Sequence, residues 1–234
     1  MTAGIEVGTN GEAAFASLRQ PGWHSLGTVF DEPLSVAEML DVSYLSKWNI
    51  HEVSLPDALP NIRFYKDRKL IVRTNPFDGE LDVLGDVGGR YTIWSNEDHF
   101  RFADNLLHGQ GTWETMGSIK NGTVVFGAMS MESLEDIVID PQGARDIVQN
   151  YILAYTAHDG TGSANFGFTP IRVVCQNTLN LAVAQGIKSV YKVRHTPGAT
   201  VKREEAQKLM GISLRYSEAM AKEFQSLFEL DCTD

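Results

Sequence analysis

Hydrophobic positions along this chain change period several times. SVAEMLDVSYL, residues 35–45, places Val36, Met39 and Leu40 at helical spacing, and Ser35 with Glu38 three residues later makes a capping-box pattern, so a helix is predicted there. After Pro56 and Pro60 the period shortens. RFYKDRKLIVRTN alternates around a turn at Lys66–Lys69, and GELDVLGDVGGRYTIWSN reads as a hairpin turning at Gly88-Gly89, with Tyr91–Trp94 as its second strand. NEDHFRFADNLLHGQG predicts a short helix capped by Asn96, with Phe100, Ala103, Leu106 and Leu107 on one face and Gly109 and Gly111 ending it. WETMGSIKNGTVVFGAMSM is a second hairpin, turning at Asn121-Gly122. DIVQNYILAYTAHDG fits a strand or a helix. Ile171–Cys175 reads as a strand feeding a helix from about Asn177, KSVYKVRHT as another strand, and Thr200 as the cap of a final helix. Its stripe is Ala206, Leu209, Ile212, Met220, Phe224 and Leu227.

Hairpins dominate the first half, which predicts an α+β fold: a mostly antiparallel sheet with helices packed on one face. The sheet is expected to carry 62–74, 80–95 and 113–131, with Ile71 and Val72 on opposite faces. One domain over 1–234 is expected, with 1–32 as an irregular N-terminal segment and 200–230 as the C-terminal helix. The last helix is still amphipathic near the final residues, ELDCTD, which leaves room for a longer natural product.

Composition narrows the class. At 234 residues, 43% hydrophobic and 21% charged, the chain can bury a proper core. No run approaches the ~18 apolar residues of a membrane-spanning helix, and MTAGIEVGTNGEAAF lacks the basic start and apolar stretch of a signal peptide. Two cysteines, Cys175 and Cys232, cannot build a disulfide framework or a four-cysteine zinc site, so a reducing cytoplasm is the expected compartment.

Charge is unevenly spread. The net charge of −10 argues against a protein coated in nucleic acid, yet two basic islands interrupt the acidic background. Residues 63–73 contain Arg63, Lys66, Arg68, Lys69 and Arg73 against one acid. Residues 188–203 contain Lys188, Lys192, Arg194, Lys202 and Arg203 and no acid. Tyr65 lies in the first island and Tyr191 in the second. Cations interleaved with aromatics suit phosphates and stacked bases. The competing reading is strand faces whose Lys and Arg pair with surrounding acids. Residues 74–141 carry three basic and twelve acidic side chains.

Other candidate chemistry is thin. Cys175 sits in the apolar IRVVCQN, as buried inert thiols do. The six histidines show no metal-ligand spacing. HDGTGSANFGF has neither the Lys-Ser/Thr ending of a phosphate loop nor dinucleotide-fold spacing, and reads as a loop. No catalytic constellation is recognisable, so a non-enzymatic protein without metal or cofactor is expected.

GWHSLGT at 22–28 and TPIRVVCQNTLNLA at 169–182, with GTVVFGAMSM at 122–131 between them, resemble a phage- and plasmid-borne family. That family carries a Trp-His-x-Leu-Gly-Thr signature and is classed as domain of unknown function 932. The resemblance implies a mobile-element protein of a bacterial cytoplasm and no agreed activity. By analogy of fold, basic strands on such a core are similar to phage single-strand annealing proteins. The expected function is therefore single-stranded DNA binding or annealing in recombination or replication, by a homo-oligomer that uses the ten cations above and Tyr191. The alternative is a protein-interaction module that inhibits or recruits a host factor in defence or replication, its acidic surface docking a basic partner. The residues of GWHSLGT and VCQNT also have an architectural reading: Trp23 anchoring the N-terminal segment, His24 hydrogen-bonded in a turn, and Asn177 and Thr178 capping the following helix.

Overall fold

A computed structural model describes residues 3–63, 67–107, 109, 111–131, 137–139, 146–148, 151–184 and 188–196. The first half contains β1 (Phe15–Leu18), β2 (Thr28–Phe30), α1 (Val36–Val42), β3 (His51–Ser54), α2 (Leu55–Ala58), β4 (Arg68–Thr74) and β5 (Leu81–Gly88). Then follow α3 (Asn96–Leu106), β6 (Gly111–Ile119), β7 (Val124–Met131), β8 (Ile137–Ile139), β9 (Asp146–Val148), β10 (Tyr151–Ala157), β11 (Ala164–Thr169), α4 (Gln176–Ala184) and β12 (Lys188–Val193). The fold is α+β and mostly antiparallel. Its strands form a seven-stranded sheet ordered β12-β11-β10-β7-β6-β1-β2, a three-stranded sheet β3-β4-β5 and the pair β8-β9. The final helix predicted from Thr200 lies outside the described residues.

Local signals were accurate where the chain folds on itself. Ser35 and Glu38 form the capping box of α1. Asn121-Gly122 turns the β6–β7 hairpin, with Lys120, Asn121 and Gly122 all at positive φ. Within the ambiguous run 146–160 the described residues hold strands β9 and β10 and no helix, β10 pairing with both β7 and β11.

Several expectations are corrected. Residues 68–74 and 81–88 do not join 111–131 in one sheet. They pair with each other and with β3, and the hairpin turns at 75–80, where the Asn75 N–H bonds Glu80 O, rather than at Gly88-Gly89. Tyr91–Trp94 is not a strand, because Thr92 spends its backbone groups on His195. Residues 1–32 are not wholly irregular. FASL (β1) is buried at all four positions, so it shows no alternation, and it lies inside the large sheet, antiparallel to β6 and parallel to β2. Ile171–Cys175 is irregular: Thr115 and Thr178 hydroxyls, not a strand neighbour, take up its backbone.

Helices also cover both faces of the large sheet, not one. Met39, Leu40, Phe100 and Ala103 from α1 and α3 pack with Trp113, Met129, Ile152, Ala154 and Phe166 on one face. Leu179 and Ala182 of α4 pack with Phe15, Phe126 and Leu153 on the other. Ile71 and Val72 are both buried, and the register against β5 shifts between them, with Leu84 as the extra residue on β5. Gly27, at φ +82°, enters β2 where any Cβ would collide with the Phe15 carbonyl.

The two sheets are joined through Arg73. This β4 side chain is 1% exposed. Its guanidinium pairs with both oxygens of Glu6, which also accepts from the Ser118 hydroxyl of β6 at 2.7 Å. Nε and Nη2 donate to Asp82 Oδ2 at 3.1 and 2.9 Å, and the group sits 4.1 Å from the Trp48 ring centre. At Gly122, φ +83°, a side chain would strike this guanidinium. Removing one partner of a buried charge network typically costs about 3–5 kcal/mol. Arg73→Met is expected to lower the unfolding free energy by that order in urea titration, because Glu6 is left buried without its cation.

Candidate nucleic-acid interface

The basic islands meet different fates. In the first, Arg68 grips Asp86 through Nε and Nη2 at 2.9 and 2.6 Å, and Lys69 reaches Glu52 at 2.6 Å. The hydrogen bonds between Arg68 and Asp86 hold that carboxyl below its usual value and the guanidinium above its own. Arg73, expected to meet phosphate, is withdrawn into the interior. Arg63 is exposed in the loop after α2, and Lys66 lies outside the described residues, as does Tyr65. The acid-pairing reading thus describes Arg68, Lys69 and Arg73.

In the second island Lys188 opens β12 opposite Phe168. Lys192 and Arg194 are exposed, and neither forms an ion pair among the described residues. They alternate with Tyr191, Val193 and His195, which turn inward, so the two cations share the outward face. Tyr191 is corrected as a free stacking platform: its ring packs on Phe102 and Phe166, with centroids 6.0 and 6.4 Å away. Lys202 and Arg203 lie outside the described residues.

Chain path brings the ends of the islands together. Arg68 pairs in register with Gly88. Two residues past Gly88 is Arg90, which is exposed, and then Tyr91, whose ring stacks on His195 at 4.9 Å. Thr92 N–H donates to His195 O at 3.1 Å, and the His195 ring donates from Nδ1 to Thr92 O at 3.2 Å. Nδ1 therefore carries the proton, and Nε2 accepts from the Thr156 hydroxyl at 3.0 Å. Between these segments lies a pocket of about 300 Å³ lined by Thr92, Ile93, Trp94, Val193, Arg194, His195 and Thr196. Sequence reading missed Arg90 and Trp94. Arg90 is a lone cation within an acidic stretch, and Trp94 resembled an ordinary strand residue.

Behind the pocket three histidines are buried in apolar surroundings. Asn96 fixes the second: its amide nitrogen donates to Leu45 O at 2.9 Å, which turns Oδ1 toward His158 Nε2–H at 2.8 Å. This inward use of Asn96 explains why Ser95, not Asn96, caps α3. His99 stacks on Phe166 at 4.9 Å, with neither ring nitrogen hydrogen-bonded among the described residues. Burial holds His99 well below its ordinary value, with His158 and His195 adding. Burial, His195 and Arg73 push His158 down to about 3, against the pull of Asp159. Burial also lowers His195, partly offset by the Thr92 carbonyl. Among the described residues no three His, Cys, Asp or Glu side chains are placed to hold a metal.

The other two sequence motifs meet elsewhere, on the α4 side. Trp23 Nε1 donates to Cys175 Sγ at 3.5 Å, and His24 Nε2 donates to Val174 O at 2.8 Å while Nδ1 accepts from Leu26 N–H at 3.0 Å. Thr178 Oγ1 accepts from Val174 and Cys175 N–H at 2.9 and 3.0 Å. Trp23 itself is 59% exposed, so it anchors the N-terminal segment by its edge. Burial pushes the Cys175 thiol up, but hydrogen bonds from Thr178, Trp23 and Asn177 outweigh it and the net shift is downward. These contacts make a clasp between distant segments.

A sequence model of the family described as Domain of unknown function (DUF932) matches residues 83–234. The chain belongs to the DUF932 family. The DUF932 match takes in the pocket, β12 and the Cys175 block, and leaves Trp23 and His24 outside it. No curated protein and no solved structure matches this chain. Among the described residues no helix is long and apolar enough to cross a membrane.

Two measurements check this region. The buried histidines stay neutral in the folded state, while the unfolded chain takes up protons near their ordinary value. Stability is therefore full above about pH 6.5 and falls as pH drops below it, by about 1.4 kcal/mol per pH unit for each histidine held neutral. The urea midpoint should fall between pH 7.5 and pH 5, and less steeply in His158→Gln; a flat profile refutes the assignment. Separately, Cys175 should label slowly with a thiol reagent in the native protein, and Trp23→Ala should speed labelling by opening the cover over Sγ.

Proposed function

We propose that this chain is a non-enzymatic nucleic-acid handling protein of a phage or plasmid, binding single-stranded DNA during recombination or replication. The observation that carries the reading is the outward face of β12 and the residue that follows it, where Lys192 and Arg194 are exposed without an acid partner among the described residues. Arg90 and the half-buried Trp94 lie on the adjoining segment. Free cations beside an aromatic suit a strand whose phosphates and bases are both within reach. The first island contributes less, since acids already neutralise Arg68 and Lys69. An acidic remainder repels the strand elsewhere and confines binding to this face. Annealing requires two strands to be presented together, and a homo-oligomer with repeated β12 faces supplies that; among the described residues β12 and β2 stand at the two ends of the sheet. The protein-interaction reading draws on a different surface, the 65% and 59% exposed Leu81 and Val83 on the outer strand of the small sheet.

Three phosphate-neutralising cations predict a slope of about −2 in log K against log salt for a single-stranded oligonucleotide. Lys192→Glu with Arg194→Glu should abolish binding, whereas Arg68→Gln with Lys69→Gln should leave it within about twofold. Fluorescence anisotropy across a salt series reads both. Equal losses from the two pairs refute the β12 face. Absence of salt-sensitive binding at micromolar protein transfers the function to the interaction reading.

A further inference from the structure

We propose that the pocket between Thr92–Trp94 and Val193–Thr196 receives one unstacked nucleobase, with the adjoining phosphate on Arg194. This rests on the nucleic-acid reading above and gives it a second, non-electrostatic component. Its volume, about 300 Å³, lies at the small end of ligand pockets and fits one ring system, not an extended molecule.

The lining sorts the chemistry. Ile93, Trp94 and Val193 make an apolar wall. His195 adds a flat surface without charge, and both its ring nitrogens are already engaged, by Thr92 O and Thr156 Oγ1. Nothing among these groups meets an ionic ligand in the interior. The single charge is Arg194, exposed and unpaired among the described residues. A neutral planar body with one anionic attachment matches that arrangement, and a nucleotide of a single strand has that form. An inorganic polyanion would use Arg194 and leave the apolar wall idle.

The pocket is also held in shape before any ligand arrives. Reciprocal bonds between Thr92 and His195 fix its two sides, and Tyr91 stacks on the His195 ring. Trp94 is wedged against Phe102, His99 and Phe166, with centroids 5.4, 5.7 and 6.2 Å away. Ser95 caps α3, and Asn96 is tied to Leu45 and His158. A site whose walls are already ordered loses little entropy when a base enters.

The test compares a twelve-residue oligothymidylate with an abasic oligonucleotide of equal length and charge, on the whole chain and on Thr196→Trp. Thr196 is exposed at the rim, so the larger side chain obstructs entry without disturbing the core. Native protein is expected to bind the base-bearing strand at least tenfold more tightly than the abasic one. Thr196→Trp should bring the two affinities together, with an unchanged urea midpoint showing that it folds. In a Trp23→Phe background, where the remaining Trp48 and Trp113 are buried, the change in emission should come from Trp94 and follow the base-bearing strand alone. Equal affinities in the native protein overturn the base pocket and leave the electrostatic reading standing. A preference that survives Thr196→Trp overturns the pocket's place. No binding of either strand overturns both readings.

Discussion

Arg73 holds this structure together. A guanidinium almost without water must have its charge and its donors satisfied by protein, and here Glu6, Asp82 and the Trp48 ring do so. Those partners come from three places: the N-terminal segment, the neighbouring strand β5 and the turn before β3. Glu6 is held in turn by the Ser118 hydroxyl and backbone of β6. One side chain therefore locks the three-stranded sheet and the N-terminal segment onto the seven-stranded one. The glycine at 122 leaves room for the group.

Polar groups buried nearby extend the same logic at a cost. Three neutral histidines in and beneath the pocket would be unfavourable if charged, and neither ring nitrogen of His99 has a hydrogen-bond partner among the described residues. What they provide is directional: Asn96, Thr156 and Thr92 each have one compatible tautomer to bind, so the segment from Tyr91 to Asn96 has a single arrangement. That segment and the end of β12 then form the two walls of the pocket. The motif clasp of Trp23, His24 and Thr178 around Cys175 does comparable work on the α4 side, joining residues 150 positions apart through backbone carbonyls and N–H groups.

Electrostatic patterning separates the two basic islands although their sequences look alike. Both are alternating runs of Lys and Arg near a tyrosine. β4 is a central strand, flanked by β3 and β5, and each flank carries acids within reach: Glu52, opposite Ile71, bonds Lys69 diagonally, Asp86, opposite Leu70, bonds Arg68 diagonally, and Asp82 stands directly opposite Arg73. Among the described residues β12 is an edge strand, flanked by β11 alone, whose residues ANFGFT include no acid. An edge position beside a neutral neighbour leaves cations open to solvent and to a ligand.

The sequence by itself determined what depends on neighbours along the chain. The capping box at Ser35–Glu38, the hairpin at Asn121-Gly122, the extent of α3 and the antiparallel character of the fold all follow from short-range sterics and hydrogen bonding. Tertiary structure alone decided which strands share a sheet, because β1 and β10 are buried almost throughout and their uniform apolarity hides which faces they present. It decided the place of Arg73, whose sequence context is that of a surface cation until Glu6, distant in the chain, arrives beside it. It also decided that Trp94 and Arg194 line one pocket, since contacts between segments a hundred residues apart are set by packing and leave no periodic trace in either segment.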